Sequence, residues 1–210
     1  VDNATGIGAM VAIAEANRKA GTADRSQVFL AVTGEESGLL GSAYYGNNPV
    51  FPFSKTVGGV NMDALSVAGL AKNVVVIGKG KSQLDAYLDR ALGAQGRVAT
   101  LEPTPEKGYY YRSDHFSFAK HGLPMLYFEG GEDLVKGGTA AGMAAAEDYT
   151  EHRYHGPKDE YDPNWDWTGV AADLKLYYDV GRALANTTDW PNWVDGDEFR
   201  AIRDKSRAGK

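Results

Sequence analysis

Cysteine is absent from the 210 residues. Disulfides are therefore excluded, and any metal site has to be built from His, Asp and Glu. No run of apolar residues is long enough to span a bilayer. A basic stripe is missing too: 22 Lys and Arg stand against 28 Asp and Glu, for a net charge of -6, which makes nucleic acid a poor partner. Neither an internal repeat nor a signal-peptide pattern is visible. The chain begins without Met, at Val1-Asp2, directly in a motif-like stretch, as expected of a fragment whose start and any targeting segment are missing. What remains suffices for one domain with a real core and is short for two.

The most informative stretch is Val28-Phe-Leu-Ala-Val-Thr-Gly-Glu-Glu-Ser-Gly38. Five apolar residues, with β-branched members, predict a buried strand over residues 28–32. Thr33-Gly34 ends the run, and Glu35 and Glu36 follow at once. Carboxylates at the carboxyl end of a buried strand lie where open α/β sheets bind ligands. Adjacent side chains point in different directions, so one Glu can bind a metal while the other faces substrate and moves protons. The plainer alternative is a solvated Glu pair opening a helix, since acidic charge suits a helix N-terminus.

Along the rest of the chain, Ile7, Met10, Val11, Ile13 and Ala14 have helical spacing and predict a helix over Ala4–Ala20, capped by Asp2-Asn3 and stopped by Gly21. Residues 39–46 read as a second helix, 57–62 as a strand delivering Asp63, 74–77 as a strand and 83–92 as a helix. A loop rich in Pro and charge covers 102–112. Ser113 then opens a short helix ended by Gly122. Residues 123–128 read as a fourth strand and 130–142 as a Gly-rich, mobile loop. Val170, Leu174, Tyr177, Tyr178, Gly181 and Leu184 predict a long amphipathic helix, and the charged tail from Asp195 reads as a loose one. Trp165, Trp167, Trp190 and Trp193 are expected to pack around that long helix. Strands alternating with helices argue for an α/β fold with a largely parallel sheet.

Four elements then line up. Asp2 precedes a helix, Glu35-Glu36 follows a strand, Asp63 ends another strand, and His155 lies in the polar loop Tyr154-His-Gly-Pro-Lys-Asp-Glu-Tyr-Asp162. One sheet edge could gather all of them. Zinc takes His nitrogen and carboxylate oxygen, and a catalytic site keeps a position open for water. Two metals about 3.5–4 Å apart need a shared carboxylate and two terminal sets. Each residue also has a plainer reading. Asp2 alone is an N-cap, and Asp63 a turn residue. His152 competes with His155, three residues away. His115, in Ser-Asp-His, reads as structural or as support for a ligand, with Asp114 orienting a partner. His121 sits at a helix end, where a cation is welcome. Ile77-Gly-Lys-Gly-Lys-Ser82 imitates a phosphate-binding loop, but its required first Gly falls at Val75, so the motif fails.

Taken together, Asp2-Asn-Ala-Thr-Gly-Ile-Gly8, Gly34-Glu-Glu-Ser-Gly-Leu-Leu-Gly-Ser42, Asn61-Met-Asp63, Arg112-Ser-Asp-His115 and Tyr154-His155 resemble metallopeptidase family 28, the co-catalytic zinc aminopeptidases and their relatives. The resemblance covers nearly the whole chain in the family's order. It implies a three-layer α/β/α fold with a central, mostly parallel mixed sheet, zinc-exopeptidase-like, forming a single catalytic domain over residues 1–210 that is N-terminally truncated. It implies that Asp2 bridges two zinc ions, that Glu35 is the general base, that Glu36 and His155 hold one zinc and that Asp63 holds the other. Tyr110, three residues before Ser113, is similar in position to the family's oxyanion-side Tyr, and its neighbours Tyr109 and Tyr111 leave the choice among the three open. The spacing to Pro157 and to Asp159-Glu-Tyr161 favours His155 over His152.

One departure follows from the start at Val1. The family places a further His ligand in a His-x-Asp motif upstream of the bridging Asp, so the Asp63 zinc would keep only Asp2 and Asp63 here. The set Asp2, Glu36 and His155 stays complete. Two zinc ions are thus expected in the intact protein, and one or a partial complement in this chain. The resemblance further implies peptide substrates, hydrolysis by a zinc-activated water, and a secreted or periplasmic location. Missing first strands would leave an exposed sheet edge prone to self-association. Two alternatives stand beside the aminopeptidase: a glutaminyl-cyclase-like transferase using one zinc on an Asp, a Glu and a His, and a binding module that has lost its chemistry.

Overall fold

The structure, a computed structural model, describes residues 1–208. Eleven helices and strands follow one another as α1 (Ala4–Ala20), α2 (Leu40–Asn47), β1 (Gly59–Asn61), β2 (Asn73–Val76), α3 (Asp85–Gln95), β3 (Val98–Leu101), α4 (His115–Ala119), β4 (Met125–Gly130), α5 (Gly138–His152), α6 (Thr168–Ala185) and α7 (Arg200–Arg207). The strands form one open sheet in the order β1-β4-β2-β3. β1 runs parallel to β4 and β2 parallel to β3, whereas β2 and β4 are antiparallel. The sheet is therefore mixed and mostly parallel, as expected.

The two faces of the sheet follow from the period-2 alternation of its strands. Val74, Val76, Leu126 and Phe128 turn to one side and pack with Ile13 of α1, Leu88 of α3 and Leu176 of α6. Val75 and Tyr127 turn to the other side, where Phe116, Ala119, Trp193 and Phe199 meet them. Helices thus cover both faces, which gives the three layers. Burying each large apolar side chain contributes about 1.5–3 kcal/mol, so the first cluster, where Leu176, Val180, Val74 and Phe128 are fully buried, dominates the hydrophobic stabilisation.

The structure departs from these expectations in several places. Residues 28–32 are extended but form no strand: no ladder partner reaches them among the described residues, and Val28, Phe29 and Leu30 are 53%, 39% and 37% exposed. An apolar β-branched run specifies what would like burial, whereas a strand also needs a neighbour to pair with. β3 escapes sequence reading because its buried alternation is lost: Val98 and Leu101 face solvent at its two ends. The supposed loop 130–142 is a loop only in part, since α5 starts at Gly138. Gly142 is the one buried residue of α5, so no apolar stripe announces that helix. Its alanines supply helix propensity instead. Finally, Trp193 does not pack on α6. It is fully buried on the opposite face, with its Nε1 donating to the Gly122 carbonyl at 2.9 Å. Arg203 of α7, also buried, donates to the carbonyls of Phe53, Thr56 and Val57. The charged tail is therefore a strap stitched to the domain.

Candidate metal centre and active site

The start of α1 is locked against the end of β1. Thr5 Oγ1 donates to the Val1 carbonyl at 2.9 Å and accepts the Leu65 N–H at 2.9 Å. Gly6 permits the close approach: a Cβ there would lie 2.7 Å from the Asp63 carbonyl oxygen. The lock brings Asp2, just ahead of α1, beside Asp63, just past β1. Asp63 is itself fixed in orientation. Its Oδ2 accepts from Ser113 Oγ at 2.8 Å, its Oδ1 from its neighbour Ala64 N–H at 3.0 Å, and Ser113 in turn accepts from Asn61 Nδ2 at 2.9 Å.

Glu35 and Glu36 sit on a tight turn that leads into α2. Gly38 and Leu39 N–H donate to the Glu35 carbonyl at 3.0 and 2.9 Å, and Leu40 N–H donates to that of Gly34 at 3.1 Å. Gly34, at φ 69, supplies the left-handed geometry the turn needs. His155 comes from the loop after α5 and also has positive φ, 55°. Histidine tolerates that region better than most residues, and strain of this kind concentrates at functional sites. The imidazole is stacked on Tyr154, with ring centroids 3.7 Å apart.

These elements converge. His155 Nε2 lies 2.9 Å from Glu36 Oε1 and 3.5 Å from Asp2 Oδ2. One ligand atom from each of Asp2, Glu36 and His155 falls within 4.8 Å of the others. Asp63 and Glu35 stand close enough to act on this group through charge. Burial, then Asp63 and Glu36, push the Asp2 carboxyl up to about 6. Burial, then Asp63, Glu36, Asp114 and Asp2, push Glu35 up to about 7. Crowded acids with one imidazole form a donor set that suits zinc, and a divalent cation would offset the mutual repulsion that raises these carboxyls. The residues therefore fit a metal.

Between the two candidate histidines, His155 meets the acids, while His152 ends α5. Tyr110 lies elsewhere. It is buried with Ile77, Trp193 and Phe199, beneath the Lys81 ammonium, and its hydroxyl has no hydrogen-bond partner among the described residues. Burial, Asp197 and Glu198 raise its pKa, and none of the site acids contributes. His115 is fully buried, edge-on to Tyr110 at 4.8 Å and tilted against Tyr127 at 5.0 Å, and burial lowers it to about 3. It is a neutral packing residue. Two contributors escaped sequence reading. Tyr154, the phenol beside the centre, is pushed up to about 12 by burial, Asp2, Glu36 and Asp63. Its position next to His155 in sequence was the available signal. Ser113 lies in the matching stretch Arg112-Ser-Asp-His115, but its bond to Asp63 depends on the fold bringing the two together.

The fold and the acid–imidazole cluster suit a metal-dependent enzyme, and a comparison of sequences gives the class, a metallopeptidase. The family model described as peptidase family M28 matches residues 1–178, a span that includes every candidate site residue from Asp2 to His155. The chain belongs to peptidase family M28. Neither a curated protein nor a solved structure matches it.

Proposed function

We propose that the chain is the catalytic domain of a zinc-dependent exopeptidase of the aminopeptidase type, acting on peptides. The observation that carries this reading is the meeting of Asp2, Glu36 and His155, far apart in sequence, around one point. In this reading Asp2, Glu36 and His155 would hold one zinc, and Asp63 would help to hold a second. Bound zinc supplies a water of pKa about 7 and polarises the scissile carbonyl. Glu35, beside the cluster and outside the group of three donors, takes the proton of the attacking water and passes it to the leaving amine. Tyr154, neutral at working pH, offers an O–H to the developing oxyanion. Tyr110 would need to leave its packing to serve there. A secreted or periplasmic location belongs to the same reading and rests on the family resemblance.

One observation favours a second reading. Asp63 stands outside the group of three donors, and a set of one Asp, one Glu and one His suits a single-zinc, glutaminyl-cyclase-like transferase. Assay of the zinc-loaded protein on aminoacyl-nitroanilides and on peptides with N-terminal Gln separates the two. Release of nitroaniline, lost to a chelator and restored by zinc, supports the aminopeptidase. Cyclisation of Gln without hydrolysis overturns it. Glu35→Gln is expected to keep zinc and lose about 10²–10⁴ in turnover. Full activity in that variant removes Glu35 from the base role.

A further inference from the structure

We infer that Asp159 is a positioning residue that clasps the two sides of the metal centre together, with Tyr149 as its support; the inference rests on the zinc reading above. The centre draws Asp2 from the start of the chain and His155 from the loop after α5. Asp159 lies four residues beyond His155 in that loop and reaches across to Asp2. Its Oδ2 accepts the Asp2 backbone N–H at 2.9 Å and the Tyr149 hydroxyl at 3.1 Å. Its Oδ1 accepts from the Val1 nitrogen at 2.6 Å.

The loop is pinned on both sides of His155 by one residue, Tyr149. Tyr149, near the end of α5, accepts the N–H groups of Arg153 and Tyr154 on its carbonyl, at 3.0 and 2.8 Å. Its hydroxyl then bonds Asp159 on the far side of His155. The Asp159 side chain is 9% exposed, so these bonds to a carboxylate form largely away from water, where charge-assisted bonds are strong. Asp159 touches neither Glu36 nor the His155 ring in any hydrogen bond among the described residues. What it fixes is the backbone from which the Asp2 carboxylate projects, relative to the loop from which the imidazole projects. Partners that orient metal ligands in this way typically change affinity 10–100-fold when lost.

The test is zinc titration calorimetry on the parent, Asp159→Ala, Asp159→Asn and Tyr149→Phe, with metal-free melting curves and amide exchange at Asp2 for each. Asp159→Ala is expected to weaken the tighter zinc site about 10–100-fold and to speed exchange at the Asp2 amide. Asp159→Asn, which keeps one acceptor for that amide, is expected to lose less. Tyr149→Phe removes a single hydroxyl and is expected to weaken zinc severalfold, with a smaller fall in the metal-free melting temperature than Asp159→Ala gives. It carries the test if Asp159→Ala does not fold. Parent-like zinc affinity in Tyr149→Phe and in every folded Asp159 variant overturns the clasp. A parent that binds no zinc overturns the zinc reading instead. The Asp2 amide then still reports on the clasp, and exchange unchanged in Asp159→Asn and Tyr149→Phe refutes it.

Discussion

Glu36 Oε1 faces His155 Nε2 across 2.9 Å, with both side chains about half exposed. A metal entering here takes the lone pair of that nitrogen and one carboxylate oxygen, so the contact must open as the metal binds. Asp2 completes the group, whereas Asp63 is held by Ser113 and its own neighbour Ala64. The expected outcome is one zinc bound tightly and a second bound more weakly, with His155→Ala and Glu36→Ala abolishing the tight step and Asp63→Ala sparing it. Titration calorimetry with elemental analysis checks this. Two sites of equal affinity contradict it.

The acid cluster also sets a pH dependence. Asp2 and Glu35 have folded-state pKa values of about 6 and about 7, raised above the usual carboxylate range by burial and by neighbouring acids. Between the unfolded value near 4 and these raised values, the folded state binds more protons than the unfolded state. Stability from these two groups is therefore greatest at low pH and falls as pH rises through 6 and 7. The metal-free protein is expected to melt at a lower temperature at pH 8 than at pH 6. Saturating zinc, which favours the deprotonated acids, is expected to flatten or reverse that trend. A metal-free melting temperature that climbs from pH 6 to 8 contradicts the crowding of these carboxyls.

The sequence discloses the chemistry of this site better than its scaffold. Asp2, Glu36 and His155 stand beside turn and helix-start signals that survive without tertiary context. The helix Ala4–Ala20 has the bounds read from the sequence and stops at Gly21, but Asn3 makes no side-chain cap bond, and Ile7 and Val11, two of the apolar residues that predicted it, face solvent while Ala9 and Ile13 are buried. Residues 28–32 mislead: their pattern is that of a strand, but pairing is a property of two segments. α5 is silent because an alanine helix with one buried residue has no stripe to read. Tyr110 carries a family position, while its surroundings, the Trp193 and Phe199 cluster, come from a tail far along the chain. The Asp159 bonds likewise join residues whose proximity no local pattern encodes.

Away from the site, Arg97 and Asp173 form a buried ion pair at 2.7 Å, with side chains 5% and 2% exposed. Arg97 also donates to Gln95 Oε1 and to the Asn73 carbonyl, both at 3.2 Å, so the pair joins α6 to the turn before β3 and to β2. Removing one partner leaves a charge stranded in the interior. Arg97→Ala or Asp173→Ala is expected to cost about 3–5 kcal/mol, and replacing both with apolar residues of similar volume to recover most of that loss. Urea unfolding at pH 7 measures both. A single variant within 1 kcal/mol of the parent, the range of an exposed pair, contradicts the buried assignment.

The segment 28–32 invites one last test. Its backbone is extended and without hydrogen bonds among the described residues, and Val28, Phe29 and Leu30 present apolar side chains to solvent. An unpaired apolar stretch of this kind is a template for pairing with another chain, and a lysine is a common natural guard against it. The chain is expected to self-associate as concentration rises. Val28→Lys is expected to suppress that association with little loss of melting temperature, because Val28 is the most exposed of the three, at 53%. Light scattering coupled to size exclusion over a range of concentrations checks the point. A parent that stays monomeric throughout, or a lysine variant that associates equally, shows that residues 28–32 are not the contact.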